Sequence, residues 1–214
     1  MTRFAGWPDE ALEFFEGLEA DNSKAYWQDN KDRYQRAVKG PMDALLAEVA
    51  PEFGPFKIFR AYRDVRFSAD KSPYKTEISA SAPEAALYLS YSARGLFTGA
   101  GYWHMSRDQL VRYRAAIDGP PGDELEAIGA ALEADHLPIE GEGLKTAPKG
   151  WPADHPRIKL LRYTSVLAHR HYPPAAWMAT AEAKERVVSV WRNAGPLVAW
   201  LTTHVGVAEE SGRR

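Results

Sequence analysis

The chain of 214 residues contains no cysteine. That absence excludes a disulfide framework, a thiol nucleophile and any cysteine-ligated zinc or iron–sulfur centre. The sequence also lacks an apolar run approaching the ~20 residues of a membrane-spanning helix, and Met1–Pro8 has no signal-peptide core. A cytoplasmic protein with no membrane partner is the expectation. An excess of one charge sign is missing too. With 27 Lys and Arg against 29 Asp and Glu, the formal net charge is −2. A nucleic-acid coat normally carries a basic domain, so nucleic acid is not an expected partner. No glycine-rich phosphate loop or dinucleotide fingerprint appears, because the Gly99-Ala-Gly101 pair lacks a third glycine and a following helix start. Disorder is excluded by a composition that is 45% hydrophobic and 26% charged. A single domain over residues 1–214, large enough to bury its own core, follows from the length.

What is present reads as α+β, with a central antiparallel sheet flanked by N-terminal and C-terminal helices. Pro8 followed by Asp9 and Glu10 suits a helix start, and Leu12, Phe15 and Leu18 mark its apolar stripe. Asn22 is a candidate N-cap for a second helix bearing Trp27, Tyr34 and Val38, and Pro41 opens a third that runs to Pro51. Residues 57–67 alternate with period two. One face shows Phe59, Ala61, Arg63, Val65 and Phe67, the other Ile58, Arg60, Tyr62, Asp64 and Arg66. Residues 86–92 and 96–103 predict a hairpin, in which Gly99 and Gly101 suggest a bulge or a close backbone approach. Ser106-Arg-Asp-Gln109 is a capping box, and Leu125, Ile128 and Leu132 define a further amphipathic helix. Residues 138–156 read as an extended loop and 163–171 as a strand. A long helix over 175–193 and a short one with Trp200 and Leu201 complete the pattern.

Charge is unevenly placed along the chain. Residues 9–21 and 123–142 carry carboxylates with no Lys or Arg among them, whereas residues 57–76 hold Lys57, Arg60, Arg63, Arg66, Lys71 and Lys75 against Asp64 and Asp70 alone. Two readings follow: acidic helices neutralise basic strands, or an anion site is concentrated on a near-neutral protein. The run Phe59-Arg-Ala-Tyr-Arg-Asp-Val-Arg-Phe-Ser-Ala-Asp-Lys-Ser-Pro-Tyr-Lys-Thr76 resembles the signature of the bacterial family catalogued as domain of unknown function 2461. The resemblance extends to Asn22, Trp27, Asn30 and Tyr34, to Gly99-Ala-Gly101-Tyr102 and to Leu144-Lys-Thr-Ala-Pro-Lys-Gly-Trp151. It implies a bacterial, mostly single-domain soluble protein and brings no assigned site residue or activity with it.

Site residues are therefore read from chemistry alone. Guanidinium groups suit bidentate contact with carboxylate or phosphate. On an ideal strand Arg60 and Arg66 lie roughly 20 Å apart and cannot grip one phosphate. Arg63 points the other way; if that face is core it must be paired, with Asp70 or a helix carboxylate as counter-ion. Arg66 precedes a proline-stiffened turn that returns Lys71 and Lys75, with the Ser72 and Tyr74 hydroxyls nearby. Arg66, Lys71, Ser72, Tyr74 and Lys75 are the candidate ligand-binding set for a small phosphate- or carboxylate-bearing ligand. The alternatives are a non-catalytic structural or interaction module and a hydrolase. The latter rests on Ser72-Pro-Tyr-Lys75, a Ser-x-x-Lys match without its usual companion motifs, or on His169 and His171 as metal ligands. Nothing specifies a third ligand, so no metal and no cofactor is expected. Seven Trp and ten Tyr allow base stacking near the basic strands, but sheet packing is the favoured reading, since aromatics are strand formers.

Overall fold

The computed structural model describes residues 3–66 and 69–209. Phe67 and Ser68, expected at the strand end and in the turn beyond it, lie outside them. Helix α1, Asp9–Ala20, follows Pro8, carries Asp9 and Glu10 in its first turn and buries Ala11, Phe14, Phe15 and Leu18. The next helix, α2, Lys24–Asp29, is capped by Ser23, whose Oγ accepts the Tyr26 amide at 3.1 Å. Asn22, the expected cap, is used elsewhere. After α3, Lys31–Arg33, the chain widens into a π-helical stretch, Tyr34–Lys39, that runs straight into α4, Gly40–Phe53. Pro41 has no N–H to continue an α ladder, and the Gly40 amide reaches back to the Gln35 carbonyl instead.

Strands β1 (Lys57–Ile58), β2 (Glu77–Ala82), β3 (Leu87–Ser92) and β4 (Gly95–Tyr102) come next. They are followed by α5 (Arg107–Asp118) and α6 (Pro121–Ala134), with both hydrogen bonds of the Ser106–Gln109 capping box in place. The remainder comprises β5 (Ile139–Glu140), α7 (Ile158–Arg162), β6 (Val166–Tyr172), α8 (Glu182–Asn193) and α9 (Gly195–His204). Among the described residues six strands form one sheet in the order β1-β2-β3-β4-β6-β5, and β1–β2, β2–β3 and β5–β6 pair antiparallel. The protein is α+β. The sheet differs from the expectation in two places. The strand expected over 57–67 is regular only at Lys57–Ile58, and β2 was not foreseen, because Glu77-Ile-Ser-Ala-Ser-Ala82 has little β-branched or aromatic content. The helix expected over 175–193 is interrupted after a 3₁₀ turn, Ala176–Ala179.

The chain groups into two compact units, Met1–Thr98 with His171–Ser189, and Gly99–Arg170 with Val190–Arg214. In the first, Trp7 stacks on Tyr91 at 4.8 Å, and Glu48 of α4 accepts from the Phe4 amide and from Lys184 of α8. Burial pushes the Tyr91 phenol up to about 12. In the second, Tyr113 and Ile117 of α5 are fully buried, Trp200 of α9 donates to the Pro121 carbonyl at 2.9 Å, and Gln109 donates to the Gly206 carbonyl at 2.8 Å. Among the described residues no helix is long and apolar enough to cross a membrane.

Candidate functional site

The basic segment folds back as an irregular hairpin arm that prolongs β1 and β2. The Phe59 amide donates to the Ser79 carbonyl at 2.9 Å, continuing the Ile58↔Ala80 register. Further out the pairing has slipped by two residues: Tyr62 faces Tyr74, flanked by Arg63 N–H to Pro73 O at 2.9 Å and Lys75 N–H to Ala61 O at 2.8 Å. The two extra residues on the returning side form a bulge, which bends the arm and ends regular pairing. Here Asn22 finds its role. Its Nδ2 donates to the Tyr74 carbonyl and its Oδ1 accepts the Tyr74 amide, both at 3.1 Å, so one side chain serves both polar groups of one strand residue. The Tyr74 ring is 3% exposed and lies flat on Trp27, 4.3 Å between centroids and 6° between planes. Burial, with Tyr62 nearby, raises the Tyr74 phenol above its ordinary value. Tyr74, read as a ligand donor from the sequence, is thus an anchor of the arm against the N-terminal helices.

Towards the end of the arm, Asp64–Arg66 and Asp70–Ser72 are tied by their own charges. Arg66 grips Asp64 through two hydrogen bonds, Nε to Oδ1 at 3.0 Å and Nη2 to Oδ2 at 2.7 Å. Those bonds hold the Asp64 carboxyl below its usual range. Arg63 pairs with Asp70, whose other oxygen accepts the Ser72 amide at 2.9 Å. Lys71 donates to the Val65 carbonyl at 2.9 Å, and the Lys75 ammonium lies 5.2 Å from the centre of the Phe59 ring. Arg63 is not the buried cation considered above. Its side chain is 30% exposed, and Phe59 on the same face is 37% exposed. Ser72 sits in this arm rather than at a helix start, so the geometry a Ser-x-x-Lys nucleophile requires is missing.

The acidic runs are engaged elsewhere. Glu10 and Glu13 of α1 meet Arg36 and Arg33, and Asp123 and Glu126 of α6 meet Arg157. Among the described residues none of these carboxylates pairs with the arm. His169, weighed as a metal ligand, bonds Glu140 at 3.0 Å, and elsewhere His155 bonds Asp118 at 3.0 Å. No cluster of three or more His, Asp or Glu suited to a metal occurs among the described residues.

One concave place was not anticipated. Within the second unit a cavity of about 580 Å³ opens over β5 and β6. Its lining combines the apolar Trp103, Ile139 and Leu167 with the polar Glu140, Glu142, Lys159, Tyr163 and His169. The chain passes close at its base: a Cβ on Gly141 would lie 2.0 Å from the Ser165 carbonyl oxygen, while Ser165 Oγ accepts the Glu142 amide at 2.7 Å. The hints in the sequence were His169, weighed there as a metal ligand, and Glu140-Gly-Glu142, two carboxylates at i, i+2 in a stretch read as loop. Nothing local tied them to Trp103 or Lys159, which arrive from other parts of the chain.

Fold and segment together define a class, an α+β protein with a charge-dense hairpin arm pinned by a Trp–Tyr stack. Within that class the chain belongs to the family described as conserved hypothetical protein (DUF2461), whose model matches residues 10–200. No curated protein and no solved structure matches the chain.

Proposed function

We propose that the protein binds a small phosphate- or carboxylate-bearing ligand at the tip of the basic arm, with Arg66, Lys71 and Lys75 as its cations and Ser72 assisting. The observation that carries this reading is an imbalance of charge. Both carboxylates of the arm are taken up by arginines, whereas Lys71 meets a carbonyl and Lys75 a ring face. Neither partner neutralises an ammonium, and among the described residues neither lysine has a carboxylate within salt-bridge distance. Arg66 is 76% exposed at its side chain, so its bond to Asp64 is open to solvent and exchangeable. A dianionic phosphate competes for it with twice the charge of one carboxylate and the same bidentate geometry. The pinned backbone around Tyr74 holds the donors in place before the ligand arrives, which reduces the ordering cost of binding.

A thermal-shift titration with inorganic phosphate, citrate and adenosine monophosphate at low salt tests this. At tenfold excess over Kd one of these anions raises Tm by roughly 3–6 °C. Arg66→Ala and Lys71→Ala abolish the shift while leaving the unliganded protein folded. An anion response no larger in wild type than in Arg66→Ala refutes the reading. The internal ion pairs favour a second one, a non-catalytic structural or interaction module. It requires Arg63→Ala and Arg66→Ala both to lower stability with no anion compensating.

A further inference from the structure

The cavity over β5 and β6 asks for a ligand of a different kind. Its lining carries two carboxylates, Glu140 and Glu142, against one ammonium, Lys159. Two carboxylates against one ammonium do not draw in the anions that the basic arm attracts. A hydrophobic guest would strand those charged groups without water. A simple cation meets the Lys159 ammonium in the same lining. What remains is a neutral molecule that offers hydroxyl groups to both kinds of partner and an apolar face to the wall.

We propose that this cavity is a saccharide-binding site. Each sugar hydroxyl both donates and accepts, and the lining supplies both: carboxylate acceptors at Glu140 and Glu142, donors at Lys159 and Tyr163, and an imidazole at His169. Trp103 is 44% exposed at the same cavity, and burying that apolar surface is favourable. The C–H face of a pyranose ring covers such a surface, adding weak C–H···π contact to area burial. A volume of about 580 Å³ lies in the ordinary range for small-molecule sites and accommodates one or two sugar rings. The floor is rigid. Glu140 is in ladder register with Leu167, the Glu142 amide is held by Ser165 Oγ, and Gly141 presses backbone against backbone. The two carboxylates therefore project from fixed main chain rather than from a swinging loop.

Saturation-transfer NMR on the full chain, with methyl β-glucoside, maltose and N-acetylglucosamine as probes, decides the matter. At least one probe shows transfer with a millimolar Kd. Trp103→Ala weakens binding about tenfold, in line with loss of an aromatic contact, and Glu142→Gln weakens it several-fold. Both positions are exposed, and an unchanged melting profile shows that the fold survives. Lys71→Ala leaves saccharide binding intact, so failure of the anion reading and failure of this one are separable. Three results overturn the proposal: no transfer from any probe at ~20 mM, where a millimolar ligand saturates; transfer that persists in both variants; or displacement of the probe by inorganic phosphate or spermidine at equal concentration.

Discussion

Replacing Asn22 by alanine removes the two hydrogen bonds that its carboxamide makes to the Tyr74 backbone, each 3.1 Å long. A neutral hydrogen bond contributes about 1 kcal/mol net, so Asn22→Ala costs ~2 kcal/mol and lowers Tm by roughly 4–8 °C in a chain of this length. Asn22→Asp is more diagnostic. Its carboxylate still accepts the Tyr74 amide, but its second oxygen now faces the Tyr74 carbonyl with no proton between them. Protonation restores that donor, so the folded state raises the pKa of Asp at position 22 above its unfolded value of about 3.9. The folded state then binds more protons than the unfolded one between those two pKa values. Stability relative to wild type therefore falls as pH rises through that window, and the deficit is complete above the folded pKa. Urea unfolding followed by tryptophan fluorescence at a series of pH values measures it. Because the same bonds hold the arm that carries Lys71 and Lys75, Asn22→Ala also weakens the anion response of the tip. An Asn22→Ala chain within ~0.5 kcal/mol of wild type, or an Asn22→Asp deficit independent of pH, would refute the claim that this side chain fixes the arm.

Two further expectations concern the scaffold. Glu48 is held below the usual carboxylate range, first by its hydrogen bond from Lys184 and then by the Phe4 amide. Its contribution is complete at neutral pH and disappears as pH falls through the folded value, so Glu48→Gln costs about 1–2 kcal/mol at pH 7. The two proteins converge in acid when unfolded side by side. Gly101 adopts φ +127°, and a Cβ there would lie 2.1 Å from the Val166 carbonyl oxygen. Gly101→Ala therefore strains both its own backbone and the neighbouring strand, costing ~3 kcal/mol or more and upwards of 6 °C in calorimetric Tm. An alanine variant as stable as wild type would show that the close approach is not structural.

The parts of the molecule legible in the sequence are those that local chemistry decides. The Pro8 helix start, the Ser106–Gln109 capping box, the hairpin arms near 87–102 and the close approach at Gly101 all depend on residues a few positions apart, or on one glycine. The α+β class followed from their order. Composition excluded cysteine chemistry outright, and the charge count of residues 57–76 marked the basic arm before its shape was known.

Tertiary structure decided everything that needs a partner from far along the chain. Asn22 carries the signature of a cap, yet it bonds to Tyr74, 52 residues away, and leaves the cap to Ser23. Tyr74 has a hydroxyl and stands among cations, yet Trp27 covers its ring. The alternation of residues 57–67 is as regular as any in the chain, but regular pairing stops after two residues because the returning side carries two more than the outgoing one. The cavity is the extreme case. Trp103, Glu140, Lys159 and His169 share no spacing that periodicity detects, and only the pairing of β5 with β6 and the placement of α7 bring them to one opening. Periodicity reports which face of an element is buried. Which distant element buries it is a property of the whole chain's packing.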